Sequence, residues 1–249
     1  MTCMHGREQG MPDGKHILFT GGNGLFGSEF KKIRPDIQYT DYEDFDVTNY
    51  EQMEAYLRGK SYDVIFHAAA FTSPPQIDKD PLKALQVNIV GTANVVRLCM
   101  AHGIRMIYVC TDYVFKGDQG NYKETDPVYP VNKYAWSKLG GECAVRLYDK
   151  VLIIRTTFGP NVFPYEKAFV DQWTSRESVS VIVHKINALV DKDITGVVHV
   201  GGPRRTVYEY AKSVSPTKEI GPLSIHDVNF AVPVDTSLNC EKYNRIITE

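Results

Sequence analysis

No CxxC pair and no His/Cys cluster occurs along the sequence, so no stretch has the ligand spacing of a zinc site and no metal is expected. The five cysteines, Cys3, Cys99, Cys110, Cys143 and Cys240, are odd in number and far apart, which gives no disulfide framework. Cys99, Cys110 and Cys143 stand among apolar residues and read as small core side chains. There is no Asn-x-Ser/Thr acceptor. These absences favour a reducing, cytoplasmic setting. Charge of one sign is also lacking: 28 Lys and Arg stand against 30 Asp and Glu. Such a balance does not mark a nucleic-acid binder, and an anionic ligand would have to be met by local cations or helix N-termini. No apolar run approaches the ~20 residues that cross a bilayer, so no membrane contact is expected. Residues 1–14 lack the apolar core of a signal peptide and read as a flexible leader.

What is present is an alternation of strand and helix. Short apolar runs at His16–Thr20, Ile37–Thr40, Val64–Phe66, Arg105–Cys110 and Val151–Ile154 read as buried strands. Helices are expected at Gly24–Lys32, from Thr48 with Thr48 and Glu51 as a capping box, at Pro81–His102 and at Asn132–Leu147. Pro81–His102 carries Leu82, Leu85, Ile89, Ala93, Val96 and Met100 as its apolar stripe; Asn132–Leu147 carries Leu139, Cys143 and Leu147. Further on, the spacing predicts a helix over Arg176–Leu189, a strand at Val197–Val200 and a helix near Val207–Ser213. The fold class is α/β, a Rossmann-type doubly wound parallel sheet. Residues 15–155 and about 188–200 make the dinucleotide-binding domain; about 156–187 and 201–249 make a small C-terminal substrate lobe.

The segment Thr20–Gly27, TGGNGLFG, closes the first strand and opens the first helix. Gly21 allows the tight turn, Gly24 lets the backbone approach a pyrophosphate, and Gly27 lets helix and strand pack closely. Asp41 ends the second strand, where an acid accepts hydrogen bonds from the adenosine ribose and repels a 2′-phosphate. NADH or NADPH is the expected cofactor, with NADH preferred. Tyr134 and Lys138 lie four residues apart on one helix face. A nearby ammonium lowers the pKa of a phenol, which makes the pair a candidate acid for a carbonyl receiving hydride.

The glycine turn, Phe45–Thr48, His67–Thr72, Val87-Asn88, Cys110–Phe115, Asn132–Lys138 and Arg155–Thr157 occur in an order that resembles the extended short-chain dehydrogenases/reductases. Within them the chain is most similar to the dTDP-4-dehydrorhamnose reductases. The resemblance runs from about Lys15 to Pro160. It implies reduction of the C4 ketone of a nucleotide-linked 4-keto-6-deoxy sugar, with Tyr134 as general acid, Lys138 as its partner and Thr111 as the hydroxyl orienting the carbonyl. It implies a dinucleotide held by Gly21, Asn23, Gly24, Leu25, Phe26, Gly27, Asp41, Asp46, Val47, Ala68, Ala69, Ala70, Asn88, Val109, Tyr134 and Lys138. Substrate contacts fall on Thr72, Thr111, Asp112, Tyr113 and Phe158. Phe158 stands equally well as a packing residue, His67 reads as a core histidine, and Asn88 can also serve as an internal helix-to-backbone tie.

The lobe is trimmed between Phe163 and Asp171, and Val234–Leu238 resembles the family again. Relatives that also epimerise carry a cysteine where this chain has Tyr113, and no acid/base carboxylate is evident beside Thr111. Both points favour reduction alone, with an epimerase as alternative. A second alternative is a cofactor-binding regulatory subunit, similar to the methionine adenosyltransferase β subunit. Many relatives are dimers, so a homodimer belongs to the expectation.

Overall fold

The computed structural model describes residues 15–249. The expected leader and Cys3 lie outside the described residues. Six parallel strands make the central sheet: β1 (Ile17–Thr20), β2 (Gln38–Thr40), β3 (Val64–His67), β4 (Arg105–Thr111), β5 (Val151–Thr156) and β6 (Gly196–Val200). Their order is β6-β5-β4-β3-β1-β2. Strands β1, β3 and β5 are buried along their whole length, as unbroken Ile/Val/Leu/Phe runs require in a sheet covered on both faces. After β2 the chain crosses back to place β3 on the other side of β1. That reversal opens a crevice at the carboxyl ends of β1 and β3, the usual ligand position in such sheets.

Seven helices matter here: α1 (Leu25–Ile33), α2 (Tyr50–Leu57), α3 (Pro81–His102), α4 (Lys133–Val145), α5 (Val179–Val190), α6 (Val207–Val214) and α7 (Glu241–Thr248). One face of the sheet packs with α2, α3 and α4 around Met53, Ile65, Leu98 and Tyr108. The other packs with α1, α5 and α7 around Phe19, Phe30, Ile186 and Tyr243.

Several helices depart from the sequence expectation. Helix α2 starts at Tyr50 with Asn49 as its cap, accepting from Gln52 N at 3.1 Å. Thr48 does not cap it, because its hydroxyl donates to Asp46 instead, at 2.8 Å. Helix α3 contains a π-helical stretch, Leu85–Gly91. One wide turn shifts the phase of the residues before it relative to those after it. Asn88, Thr92, Val95, Val96 and Cys99 therefore face the core, while Leu82, Leu85 and Met100 of the expected stripe are exposed. Helix α4 likewise buries Ala135, Ser137, Lys138, Gly141, Glu142 and Val145 and turns Cys143 outward; it ends at Val145, short of the expected Leu147, which is exposed. Its polar inner face is held by ion pairing and hydrogen bonds, which apolar periodicity does not register. Cys143 is thus not a core residue. The expectation that no apolar segment is long enough to span a membrane also needs correction. The 22 residues of α3 pass by length and composition alone, although half of that segment is buried against the protein.

The residues beyond β5 form short paired strands: Phe158–Gly159 with Glu177–Ser178, Trp173–Thr174 with Arg205–Thr206, and Lys167–Phe169 with Gly221–Leu223. A separate small core of Phe163, Ala168, Val207, Tyr210, Ala211 and Ile220 supports them. Because Glu177 and Ser178 pair as strand, the helix expected from Arg176 begins only at Val179.

Candidate active site

Gly21 has φ +80°, and a Cβ there would come within 2.8 Å of Ala69 backbone. A Cβ on Gly27 would lie 2.5 Å from the Gly21 carbonyl, so only glycine lets α1 sit on β1 this closely. A Cβ on Gly24 would meet nothing but the Gly21 oxygen, at 3.3 Å. Beyond it is open cleft. Helix α1 begins there without a side-chain cap, leaving its first amides for an anion.

The cleft runs in two directions from this turn. One arm, of about 220 Å³, is walled by Asp41, Asp46, Val47, Ala69 and Val87. Asp41 is fixed there by Asn23 N (3.1 Å) and Tyr42 N (2.8 Å), one to each carboxylate oxygen. The other arm, of about 370 Å³, runs past Leu25, Phe26, Ala68, Ala70, Thr72 and Val109 to Thr111, Tyr113, Tyr134, Lys138 and Phe158. A phosphate turn, an acid at the β2 end and a continuous groove between them suit a dinucleotide.

Two of the residues expected at the dinucleotide do not line either arm. Asn23 offers its side chain to Lys31, at 3.3 Å. Asn88 is buried with both ends engaged: its oxygen accepts from Phe71 N (2.7 Å), and its amide donates to Phe71 O and to Ser137 Oγ (both 2.8 Å). It ties α3 to the loop after β3 and to α4. His67 is a core histidine between Thr20 (2.8 Å) and Thr92 (3.1 Å), and burial pushes it down to about 3. Phe158 does both things considered for it: it packs on Phe26 with ring centroids 5.5 Å apart and lines the cleft.

At the far end Asn132 caps α4 by accepting from Ala135 N at 2.9 Å, which sets the rotation of Tyr134 and Lys138. Burial pushes the Tyr134 phenol up, opposed by the neighbouring Thr111 hydroxyl. The expected lowering by Lys138 is not realised. Lys138 is itself buried, pushed down to about 8, and its ammonium lies 4.5 Å from the centre of the Tyr108 ring. A phenol held protonated suits an acid that must give its proton late. Thr111 Oγ donates to Asp112 at 3.1 Å and accepts from Tyr113 N at 3.2 Å.

Asp112, expected on the substrate wall, sets its carboxylate against the Thr111 hydroxyl. Asp112 is buried, pushed up to about 6 by desolvation, and accepts from Thr236 at 2.6 Å. Its engagement was hidden because Thr236 is 124 residues away. Pro74, Thr156, Thr157 and Arg176 also line this wall without having been expected there; Thr156 and Thr157 lie in the Arg155–Thr157 motif, while Pro74 and Arg176 belong to none. Among the described residues no cluster of three or more His, Cys, Asp or Glu is placed to hold a metal.

The family model described as RmlD substrate binding domain matches residues 15–237. The dTDP-4-dehydrorhamnose reductase of Aggregatibacter actinomycetemcomitans is 31% identical over 197 residues, 75% of this chain and 62% of that protein. The chain thus spans under two thirds of that relative. Methionine adenosyltransferase 2 subunit beta of Rattus norvegicus is 25% identical over 276 residues, 92% of this chain and 81% of that one. A crystal structure of dTDP-4-dehydrorhamnose reductase from Bacillus anthracis str. Ames, in complex with NADP, superposes with TM-score 0.84 at 25% identity, covering 95% of this chain and 93% of the other. With this fold, this turn and a match over nearly its whole length, the chain belongs to the RmlD substrate binding domain family.

Proposed function

We propose that the chain is an NAD(P)H-dependent reductase of the C4 ketone of a nucleotide-linked 4-keto-6-deoxy sugar, working in deoxysugar synthesis. The observation that carries this reading is the meeting of Thr111, Tyr134 and Lys138 on the wall of the cleft that begins at the glycine turn. Gly21, Gly24 and the first amides of α1 would hold the pyrophosphate, and Asp41 the adenosine ribose. When bound, the reduced nicotinamide supplies hydride to the carbonyl carbon. Thr111 turns its one hydroxyl hydrogen from Asp112 to the substrate oxygen, and Tyr134 gives that oxygen its proton. Lys138 offsets the charge left on the phenolate. Thr72, Asp112, Tyr113 and Phe158 form the substrate wall. In this reading residues 15–155 and about 188–200 serve the dinucleotide, and the remainder serves the sugar.

The test is absorbance-followed oxidation of NADH and of NADPH with dTDP- and UDP-4-keto-6-deoxyglucose. Asp41 presents a full negative charge to the ribose, so NADH is expected to be the better cofactor. Asp41→Asn should shift the preference toward NADPH by about tenfold or more, since one close like-charge contact is worth a few kcal/mol at a protein surface. An unchanged ratio would refute the role given to Asp41.

A second reading draws on the match to the rat subunit, which extends over 92% of this chain and 81% of that one. There the chain binds a dinucleotide and regulates a partner enzyme. Dinucleotide binding without turnover of any keto-sugar selects it over the reductase. An epimerase remains the third reading, for which Asp112 beside Thr111 is the one structural support; isomerised product without cofactor consumption selects it.

A homodimer fits the same surface. Leu82 and Leu85 of α3 and Trp136 of α4 are exposed on packed neighbouring helices, as is Leu147 just past the end of α4. Sedimentation equilibrium should give twice the 28.1 kDa chain mass, and Leu85→Glu with Trp136→Glu should halve it. A monomer in the unmodified protein removes this part of the reading.

A further inference from the structure

Tyr108, midway along β4, holds Lys138 at two points. Its hydroxyl donates to the Lys138 carbonyl at 3.1 Å. Its ring lies beneath the Lys138 ammonium, with 4.5 Å from nitrogen to ring centre. Tyr108 is fully buried, and Lys138 is 4% exposed where it lines the cleft. Glycine at 141 makes this approach possible. A Cβ there would come within 2.8 Å of the Tyr108 hydroxyl oxygen and 2.5 Å of the Asn88 carbonyl. Helix α4 thus omits a side chain where the phenol reaches its backbone. On the neighbouring strand His67 is the register partner of Tyr108, and the two rings stack with centroids 5.8 Å apart.

A buried ammonium must be compensated by its surroundings. The titratable groups around Lys138 do this only from a distance. Cys110 shares a face of β4 with Tyr108, but burial pushes its thiol well above the ordinary value and keeps it neutral. On β3, His67 is pushed down to about 3 and carries no charge. Tyr134, one turn earlier on α4, is a phenol pushed up by burial. Asp112, past the end of β4, is engaged by Thr111 and Thr236. Helix α3 presents the neutral Asn88 and Thr92. Glu142 attracts the ammonium from one turn further along α4, yet its oxygens already receive Arg155 of β5 and Arg146. What touches the cation is the Tyr108 ring. The negative face of an aromatic ring attracts a cation, and more strongly when the cation is desolvated.

We propose that Tyr108 is a positioning residue for Lys138: its ring face seats the ammonium and its hydroxyl pins that turn of α4, so the charge stands ready beside Tyr134 before any ligand arrives. This deepens the reductase reading and rests on it for the use made of the charge. The seat itself needs no turnover, so the two can fail separately.

The experiment weakens the ring face while keeping its shape. Tyr108→Phe is made in the full chain, followed by the mono-, di- and trifluorinated phenylalanines at the same position. Fluorine draws charge off the ring face, so bulk and burial persist while the attraction falls. Lysine labelled with carbon-13 at Cε gives an NMR resonance that Lys138→Arg removes, and its shift is followed against pH in the free protein. The titration point should fall stepwise along the series, by about one unit from phenylalanine to the trifluorinated ring. The alkaline limb of kcat/KM should move down with it. Difluorotyrosine, which keeps the hydroxyl, repeats the comparison against the unmodified chain and covers a failure of Tyr108→Phe to fold. Affinity for NAD⁺ within about twofold of the unmodified chain is the folding control. A titration point that stays constant along the series, or rises with fluorination, overturns the proposal and leaves Tyr108 a packing residue. A falling titration point in a protein that turns over no keto-sugar would overturn the reductase reading and leave this one standing.

Discussion

Tyr134→Phe should lower turnover of the keto-sugar about a thousandfold, the middle of the range for one general acid, and leave dinucleotide affinity within about twofold. The phenol oxygen is the group lost; the ring stays, and with it the edge-on contact to Tyr113 at 6.4 Å between centroids. The cradle at Gly21 and Gly24 is untouched, since those residues meet backbone and open cleft rather than Tyr134. Stopped-flow turnover and a separate NADH titration read the two quantities independently. A variant that turns over at the original rate would remove Tyr134 from the chemistry. The pH profile carries the companion result. Lys138 is pushed down to about 8, so kcat/KM, which reports the free protein, should fall as pH rises through about 8. Lys138→Arg, which stays charged, should lack that limb whatever its residual rate. For stability the sign is opposite. A cation whose folded pKa lies below its unfolded value binds fewer protons when folded. Between about 8 and the ordinary value of 10.5 this lysine makes unfolding harder with every step up in pH.

Glu142→Ala should cost about 3–5 kcal/mol of folding free energy, because it strands a buried guanidinium. Glu142 and Arg155 are 0% and 1% exposed. Arg155 Nε donates to Oε2 at 3.1 Å and Nη2 to Oε1 at 2.7 Å, while Arg146 Nε reaches Oε1 at 2.9 Å. Burial alone would raise the Glu142 pKa; the bonds from Arg155 outweigh it and hold the carboxyl below its ordinary value. This contribution is present above the ordinary carboxylate range and is lost as pH falls through the lowered value. For a chain of this length the expected fall in melting temperature is roughly 6–20 °C. The double replacement of Glu142 and Arg155 by leucine should recover much of it, since the desolvation of both charges disappears together. A loss under about 1 kcal/mol in Glu142→Ala would mean that water reaches Arg155.

The strands of the sheet, the glycine turn and the Tyr134–Lys138 pair are legible because each leaves a local mark: unbroken apolar runs, glycine at fixed spacing, a four-residue step. The orientation of α3 is not, because a π turn is invisible to a 3.6-residue period. That of α4 is not, because its inner face is Ser137, Lys138 and Glu142, held by partners far along the chain. Arg176 was read as the first residue of a helix. Pairing of Glu177–Ser178 with Phe158–Gly159, a long-range event, turns it into a wall of the cleft instead.

Helix α4 carries Tyr134, the proposed proton donor, and the Lys138 ammonium, the latter one turn before the strut that Glu142 makes to β5. Reactivity and integrity thus share one short segment whose inward positions have almost no freedom to drift. The groups that would choose a substrate, Phe158, Arg176 and the Asp112–Thr236 contact, depend instead on residues 156–178 and 201–238. A lineage can rewrite that second set without touching the first. If the proposed reductase reading holds, new sugars can be acquired by remodelling those residues while the reaction is inherited unchanged.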